Sequence, residues 1–336
     1  MSSISGAKQS SRYKRLQRFF RGFNFDFNQI ATFVFKLFSL KDGKWYLTID
    51  RTDWQLGKTV INILMLAIIY EGVAIPIYWS LFRKKGNSNT KERIELLEKF
   101  INNFGKDKIS GLLGDREFIG GKWFEYLKKH KIPFFIRIKT NAITTNAQGK
   151  EVDIRLLFLG LKPGEYRILE GERKLWGNEL YLAGIRLTKN GELLIVTTNE
   201  SPENALSIYL LRWKIETLFA SLKTRGFRLE ETHIINLVRL KKILALLTIT
   251  FCWAYKTGEW RIKNHEEIKI KKHGRKEKSI FRHGLDWIRK EVWDSNISIE
   301  HILWKLLQPI FIPPISEFVA ESMLDDCVFK QSIEQK

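Results

Sequence analysis

Residues 60–82 are apolar almost throughout, and Glu71-Gly72 and Pro76 interrupt the run. A stretch of that length invites a membrane-spanning assignment, but the breaks divide it into two runs, 60–70 and 73–82. These predict a buried β-hairpin that turns at Glu71-Gly72. Just upstream, Trp45-Tyr-Leu-Thr-Ile49 is rich in β-formers, which extends the pattern to a three-strand antiparallel meander. Residues 84–90 form a loop rich in Gly, Asn and Ser, and the period then changes to 3.6. Ile94, Leu97, Phe100 and Ile101 mark the inward face of a helix opened at Thr90 and ending near Gly105. A short strand over 109–114 ends at Asp115, a second amphipathic helix follows over 121–130, and a further strand occupies 133–139. That order of elements is mixed α/β.

The rest of the chain falls into different patterns. Gly149, Gly160, Gly164, Gly171, Gly177, Gly184 and Gly191 punctuate β-prone stretches, which predicts an all-β insertion over 143–198. Ser201 caps the next helix, with Pro202 at its first position, and that helix runs through Glu216 to about Lys223. A second apolar helix covers 237–256. Residues 1–40 carry Lys8, Arg12, Lys14, Arg15, Arg18 and Arg21 and predict a basic helical arm, or else a solvated helix. Residues 257–336 return to basic character with Trp260, Phe281 and Trp287 interleaved. That composition suits phosphate contacts with packing, or a charged linker before a last helical region. The expected core is therefore 41–142 together with 199–256.

Charge narrows the partner class. With 57 Lys+Arg against 37 Asp+Glu the net charge is +20. Such an excess favours nucleic acid, a class that includes double-stranded DNA, over an anionic membrane surface. Only Cys252 and Cys327 are present, so there is no disulfide framework and a reducing, cytoplasmic setting is expected. The six histidines form no H-x-x-x-H and there is no C-x-x-C, which argues against zinc. No apolar segment directly follows the start, so no secretory leader is expected.

Candidate chemistry concentrates in Tyr209-Leu-Leu-Arg212-Trp-Lys-Ile-Glu216-Thr-Leu-Phe-Ala-Ser-Leu-Lys223. At 100° per residue, Tyr209, Arg212, Glu216 and Lys223 share about 60° of the helical wheel. Leu210, Leu211, Leu218 and Leu222 form the opposite, apolar face. One carboxylate, two cations and a phenol on one line suit a site that holds a metal ion and grips phosphate. Asp50 and Asp115, each expected at a strand end, can complete a trio of carboxylates for two divalent cations. Mg²⁺ prefers such oxygen ligands. Taken singly, an Asp after a strand is more often a turn residue, and a helical Glu an exposed ion-pair partner.

The spacing Tyr-x2-Arg-x3-Glu-x6-Lys resembles the motif of bacterial insertion-sequence transposases of the "IS-four" group, within the Asp-Asp-Glu superfamily. Asp50 in Ile-Asp-Arg-Thr-Asp-Trp and Asp115 in Gly-Asp-Arg-Glu-Phe match the family's two catalytic aspartates, and Glu216 its third carboxylate. The resemblance runs from about Trp45 to Phe251. It implies an RNase H-like mixed sheet with flanking helices, interrupted by the β-rich insertion. It also implies cleavage of transposon ends and joining of the 3′-hydroxyl to target DNA. Asp50, Asp115 and Glu216 would bind two Mg²⁺, with Mn²⁺ able to substitute, and Tyr209, Arg212 and Lys223 would hold DNA phosphates. A homodimer in a synaptic complex is implied as well. Trp213 also matches a position of related members, where a packing role is equally open. Trp176 is the one tryptophan in the β segment available for a flipped base, but its spacing from Glu216 does not match. Fewer than fifty residues precede Asp50, which is short for an end-recognition domain. That leaves two other classes open: a catalytically silent DNA-binding remnant or repressor, and an RNase H-like nuclease on branched DNA.

Overall fold

Elements follow one another as α1 (Gln9–Gly22), α2 (Phe27–Leu37), β1 (Trp45–Leu56), β2 (Thr59–Tyr70), β3 (Val73–Phe82), α3 (Thr90–Phe104), β4 (Ile109–Gly114), α4 (Gly121–Lys129) and β5 (Phe134–Ile138). Then come β6 (Ile143–Thr145), β7 (Glu151–Asp153), β8 (Tyr166–Ile168), β9 (Arg173–Leu175), β10 (Asn178–Arg186), β11 (Leu193–Thr198), α5 (Ala205–Leu210), α6 (Lys214–Leu222), α7 (Leu237–Asn264) and α8 (Ile280–Trp293). The computed structural model describes residues 8–56, 58–223, 226–272 and 274–293, with Leu306, Leu307, Pro309 and Ile310. Two units are distinguished: a sheet unit, Asp42–Ala220, and a helical unit that combines residues up to Lys41 with the described residues from Ser221 onward.

The sheet unit is built on a nine-stranded mixed sheet in the order β3-β2-β1-β4-β5-β11-β10-β8, with β9 paired to β10. The meander β1-β2-β3 is antiparallel, and β1, β4 and β5 run parallel. From Ile61 to Tyr70 every residue of β2 is buried, and β3 is buried from Val73 to Trp79. A strand covered on both faces needs no alternation, so the long apolar run belongs to a sheet interior. Among the described residues no helix is long and apolar enough to cross a membrane. The hairpin turn requires left-handed backbone, with φ of +32° at Glu71 and +86° at Gly72, as a two-residue type I′ connection would.

Helix α3 packs on β2 and β3, and α5 on β5, β10 and β11. Asn89 opens α3 with a full capping box to Glu92. The inward face of α3 comprises Arg93, Leu96, Leu97 and Phe100, whereas Ile94 and Ile101 are only half-buried.

Three expectations need correction here. β1 does not end near Asp50 but continues to Leu56, paired with β2 from Leu47 onward. The helix expected to open at Pro202 begins three residues later, at Ala205, and a 3-10 turn over Leu211–Trp213 separates α5 from α6. Residues 143–198 are β-rich, yet most of that stretch does not stand apart. β11 pairs antiparallel with β5, β10 follows it, and both are largely buried, so they extend the main sheet. Only β6 and β7 form a separate hairpin, and Ile154–Phe158 is a 3-10 helix.

In the helical unit, α7 packs against α1, α2 and α8. The crossing with α8 is close because glycines meet there: a Cβ on Gly284 would stand 1.8 Å from the Ala254 carbonyl oxygen. The aromatics interleaved with the basic tail are packing groups. Phe281 stacks on Phe251 at 4.8 Å and Trp260 lies 5.6 Å from Trp287. Residues 266–272 and 274–279 are not helical, and most of the expected C-terminal region beyond Trp293, Cys327 included, lies outside the described residues.

Candidate active site

Parallel pairing between β1 and β4 places Ile49 opposite Gly114. Asp50 and Asp115 are the next residues along the chain, so both acids stand side by side where the parallel pairing of β1 with β4 ends. Each is held the same way: the Arg51 N–H donates to Asp50 Oδ1 at 2.7 Å, and the Arg116 N–H to Asp115 Oδ1 at 2.7 Å. Asp50 thus sits within a strand and Asp115 just beyond one, but the register joins them.

Glu216 comes to this place through Arg212. The Arg212 guanidinium donates from Nη1 to Asp50 Oδ2 at 2.9 Å and from Nη2 to Glu216 Oε1 at 3.1 Å. Its Nε donates to the Tyr209 hydroxyl at 3.2 Å, and that hydroxyl points to Asp115 Oδ1 at 3.4 Å, long for an O–H···O bond. Asp50, Asp115, Tyr209, Arg212 and Glu216 therefore form one network. Tyr209 and Arg212 are buried while Leu210 and Leu211 are half-buried, the reverse of the expected faces in this part of the helix. Glu216 keeps 52% of its side chain exposed. Lys223 follows the last turn of α6, half-buried, and belongs to the helical unit. Trp213 is half-buried in the 3-10 turn, and Trp176 is exposed at φ +46°.

Burial shapes the electrostatics. It pushes the Asp50 carboxyl up to about 7; Arg212 and the Arg51 N–H oppose the shift, and the charges of Asp115 and Glu117 add to it. Burial likewise raises the Tyr209 phenol to about 12, so it remains a donor. Desolvation alone would lower the Arg212 pKa, but Tyr209, Asp50, Asp115 and Glu216 outweigh it and the guanidinium is held charged.

Three further residues brace the site and were not singled out from the sequence. Arg51 Nε donates to Glu117 Oε2 at 3.0 Å, tying the residue after Asp50 to the turn after Asp115. Arg93, only 4% exposed, donates from Nη2 to the carbonyls of Ser88 (2.6 Å) and Glu117 (2.7 Å) and from Nη1 to that of Ile119 (3.2 Å). An arginine one position before Ile94, on a helix whose remaining inward residues are apolar, was the available signal.

Residues 38–253 match the family described as "Transposase DDE domain". The chain belongs to that family. Membership of this transposase family assigns it to enzymes of DNA recombination. No curated protein matches the chain. Among solved structures it is similar to the catalytic domain of human Endonuclease V, with TM-score 0.32, 13% identity, and coverage of 66% of this chain and 99% of that one. A second match is human ENDOV, with TM-score 0.31, 12% identity and the same coverages. Likeness at that level is too loose to argue from.

Transposase DDE domains generally act with divalent metal ions, and the donor chemistry here suits one. The network offers hard carboxylate oxygens, and a positive guanidinium already stands between Asp50 and Glu216. Among the described residues, no three acidic or metal-ligating side chains are drawn together closely enough to hold an ion. Arg212 takes the place of positive charge between two of them.

Proposed function

We propose that this transposase cuts DNA ends and transfers the freed 3′-hydroxyl by phosphoryl transfer, with Asp50, Asp115 and Glu216 as the catalytic carboxylates. The single observation that supports the reading is Arg212 bridging Asp50 and Glu216 beside Asp115, three acids from β1, the end of β4 and α6. The strand order β3-β2-β1-β4-β5 agrees with the RNase H-like core implied by the motif, and the Tyr209-Arg212-Glu216-Lys223 spacing with the "IS-four" group.

The three carboxylates are the groups that would hold divalent cations, two Mg²⁺ on this reading, with Mn²⁺ able to substitute. Bound there, the ions would lower the pKa of an attacking hydroxyl and stabilise the leaving oxygen. In cleavage, a water oxygen forms the new P–O bond, the bond to the 3′ oxygen breaks, and that oxygen leaves as the 3′-hydroxyl. In joining, the 3′-hydroxyl attacks a target phosphate and displaces its neighbouring 3′ oxygen. Arg212 is suited to move from carboxylates to a phosphate, where its fork can make two parallel bonds. Tyr209 holds Arg212 in register, and Lys223 is assigned a phosphate contact. Two ends must be brought together for joining, which favours a homodimer on DNA, and the setting is the cytoplasm where DNA resides.

The test uses labelled duplexes that carry the inverted repeats flanking the reading frame. Wild type should nick them with Mg²⁺ or Mn²⁺. Glu216→Gln should lose on the order of 100- to 1000-fold in rate while it still binds the duplex. Unchanged turnover in the variant would remove Glu216 from the catalytic set. Binding without cleavage by wild type under any divalent ion would favour a silent DNA-binding protein.

A further inference from the structure

A second charged feature lies at the same end of the sheet. The loop after Asp115, the end of β5, the 3-10 helix Ile154–Phe158 and the β10–β11 hairpin enclose a cleft of about 460 Å³. Five cations line it, Arg116, Arg137, Lys139, Arg155 and Arg186, against one carboxylate, Glu192.

Strand register explains why they gather. Lys139 follows β5, which is parallel to β4, so it leaves the sheet at the end where Asp115 leaves. β11 is antiparallel to β5, so Leu193 starts at that end, and Arg186 is paired opposite Leu193. The cleft adjoins the acid network: Arg116 follows Asp115 directly, and the charge of Arg137 acts on the Tyr209 hydroxyl.

Internal partners do not exhaust these cations. Arg137 pairs with Glu192, and Arg155 with Asp153 at 2.6 Å. Arg186 Nη1 donates to the Gly191 carbonyl at 2.8 Å, but its Nε is buried with no hydrogen-bond partner. Arg116 and Lys139 are exposed. Like charges crowded in a cleft repel one another and draw anions.

We propose that this cleft binds the phosphodiester backbone of DNA next to the acid network. The proposal rests on the DNA-cleaving assignment above and extends it to a residue set outside the Tyr209-Arg212-Lys223 motif. Dimension favours a polymer over a free phosphate. Arg116 stands just beyond β4, Arg137 and Lys139 on and just beyond β5, and Arg186 on β10, with β11 between the last two; neighbouring strands are about 4.8 Å apart, so these four spread over about 14 Å. At about 3.4 Å per nucleotide that spans roughly four nucleotides of one strand, where a single phosphate would engage only part of the row.

The experiment compares two doubly reversed full-length chains. Lys139→Glu/Arg155→Glu alters the cleft. Lys106→Glu/Lys129→Glu alters exposed cations just before β4 and at the end of α4, which leads into β5, at the opposite end of those parallel strands from Asp115. Fluorescence anisotropy with a labelled duplex over a salt series reads the slope of log K against log salt. The cleft variant should be shallower than wild type by about 1.8, for two lost phosphate contacts, and the control should keep the wild-type slope. Lys139→Gln alone should give about half the change. Equal slopes for the two double variants overturn the cleft. A slope change in a protein that never cleaves would keep the cleft and sink the catalytic assignment. Cleavage with coinciding slopes would do the reverse.

Discussion

Two buried ion groups in this chain look alike in distance and burial and differ in how their charge is closed. In the helical unit, Lys256 and Glu259 pair at 2.7 Å with side chains 4% and 6% exposed. In the sheet unit, Arg212 and Asp50 pair at 2.9 Å with side chains 5% and 14% exposed. The first pair lies three residues apart on α7, one cation for one anion, with Phe38 beneath the ammonium at 5.6 Å. In the second, one guanidinium serves carboxylates on two elements, with a third acid from another strand end beside it. A group with one anion per cation can stay as it is for the life of the fold. A group with three acids around one arginine, where the parallel pairing of β1 with β4 ends, retains capacity for further positive charge. Burial of an ion pair therefore does not identify an active site; the stoichiometry and the number of contributing elements do.

The largest effect expected from this contrast is structural and belongs to the closed pair. Lys256→Met leaves Glu259 buried without its ammonium, which should cost about 3–5 kcal/mol of unfolding free energy. Adding Glu259→Leu should restore most of it, because an apolar pair of similar volume is often neutral. Urea titrations of the two variants measure this. A single variant as stable as wild type would show that the pair is not needed by the fold.

The contrast also explains what could be seen in the sequence. Residues 60–82 were legible because a strand buried on both faces leaves an unbroken apolar run, and the break at Glu71-Gly72 fixed the hairpin. Asp50, Asp115 and Glu216 were legible as types in a motif; the strand register beyond Ile49 and Gly114 and the Arg212 bridge to Glu216 supplied what the sequence could not, namely their place in one network. The extension of the main sheet by β10 and β11 was hidden. Glycine punctuation marks turns but does not say which strand a hairpin pairs with, and the β5–β11 partnership bridges residues about sixty apart. Arg93 was hidden for another reason. Besides the Ser88 hydroxyl, its hydrogen-bond partners are backbone carbonyls, which carry no side-chain signature.

A middle-sized effect distinguishes Asp50 as a strained member of an open group. In the unfolded chain this carboxyl loses its proton near 3.8; in the fold it does so at about 7. Between those values the folded state holds the extra proton, so stability falls as pH rises, by at most about 1.4 kcal/mol per pH unit for this one group. Asp50→Asn removes the titration. The difference in unfolding free energy, variant minus wild type, should grow in the variant's favour from about pH 4 to about pH 7 and level off above. Parallel profiles across that window would mean that Arg212 already compensates the charge in full.

The smallest effect is the most discriminating. Glu216 contacts Arg212 at 3.1 Å but leaves half of its side chain in solvent, where an ion pair contributes about 0.2–1 kcal/mol. Arg212 would still be matched by Asp50 after the change. Glu216→Gln should therefore move the unfolding free energy by less than about 1 kcal/mol, even as cleavage falls by orders of magnitude. Denaturation and single-turnover cleavage on the same preparation give both numbers. A large loss of stability would place Glu216 with Lys256 and Glu259 as a structural charge. A small one, with activity gone, leaves it exposed because a substrate or cation has to reach it.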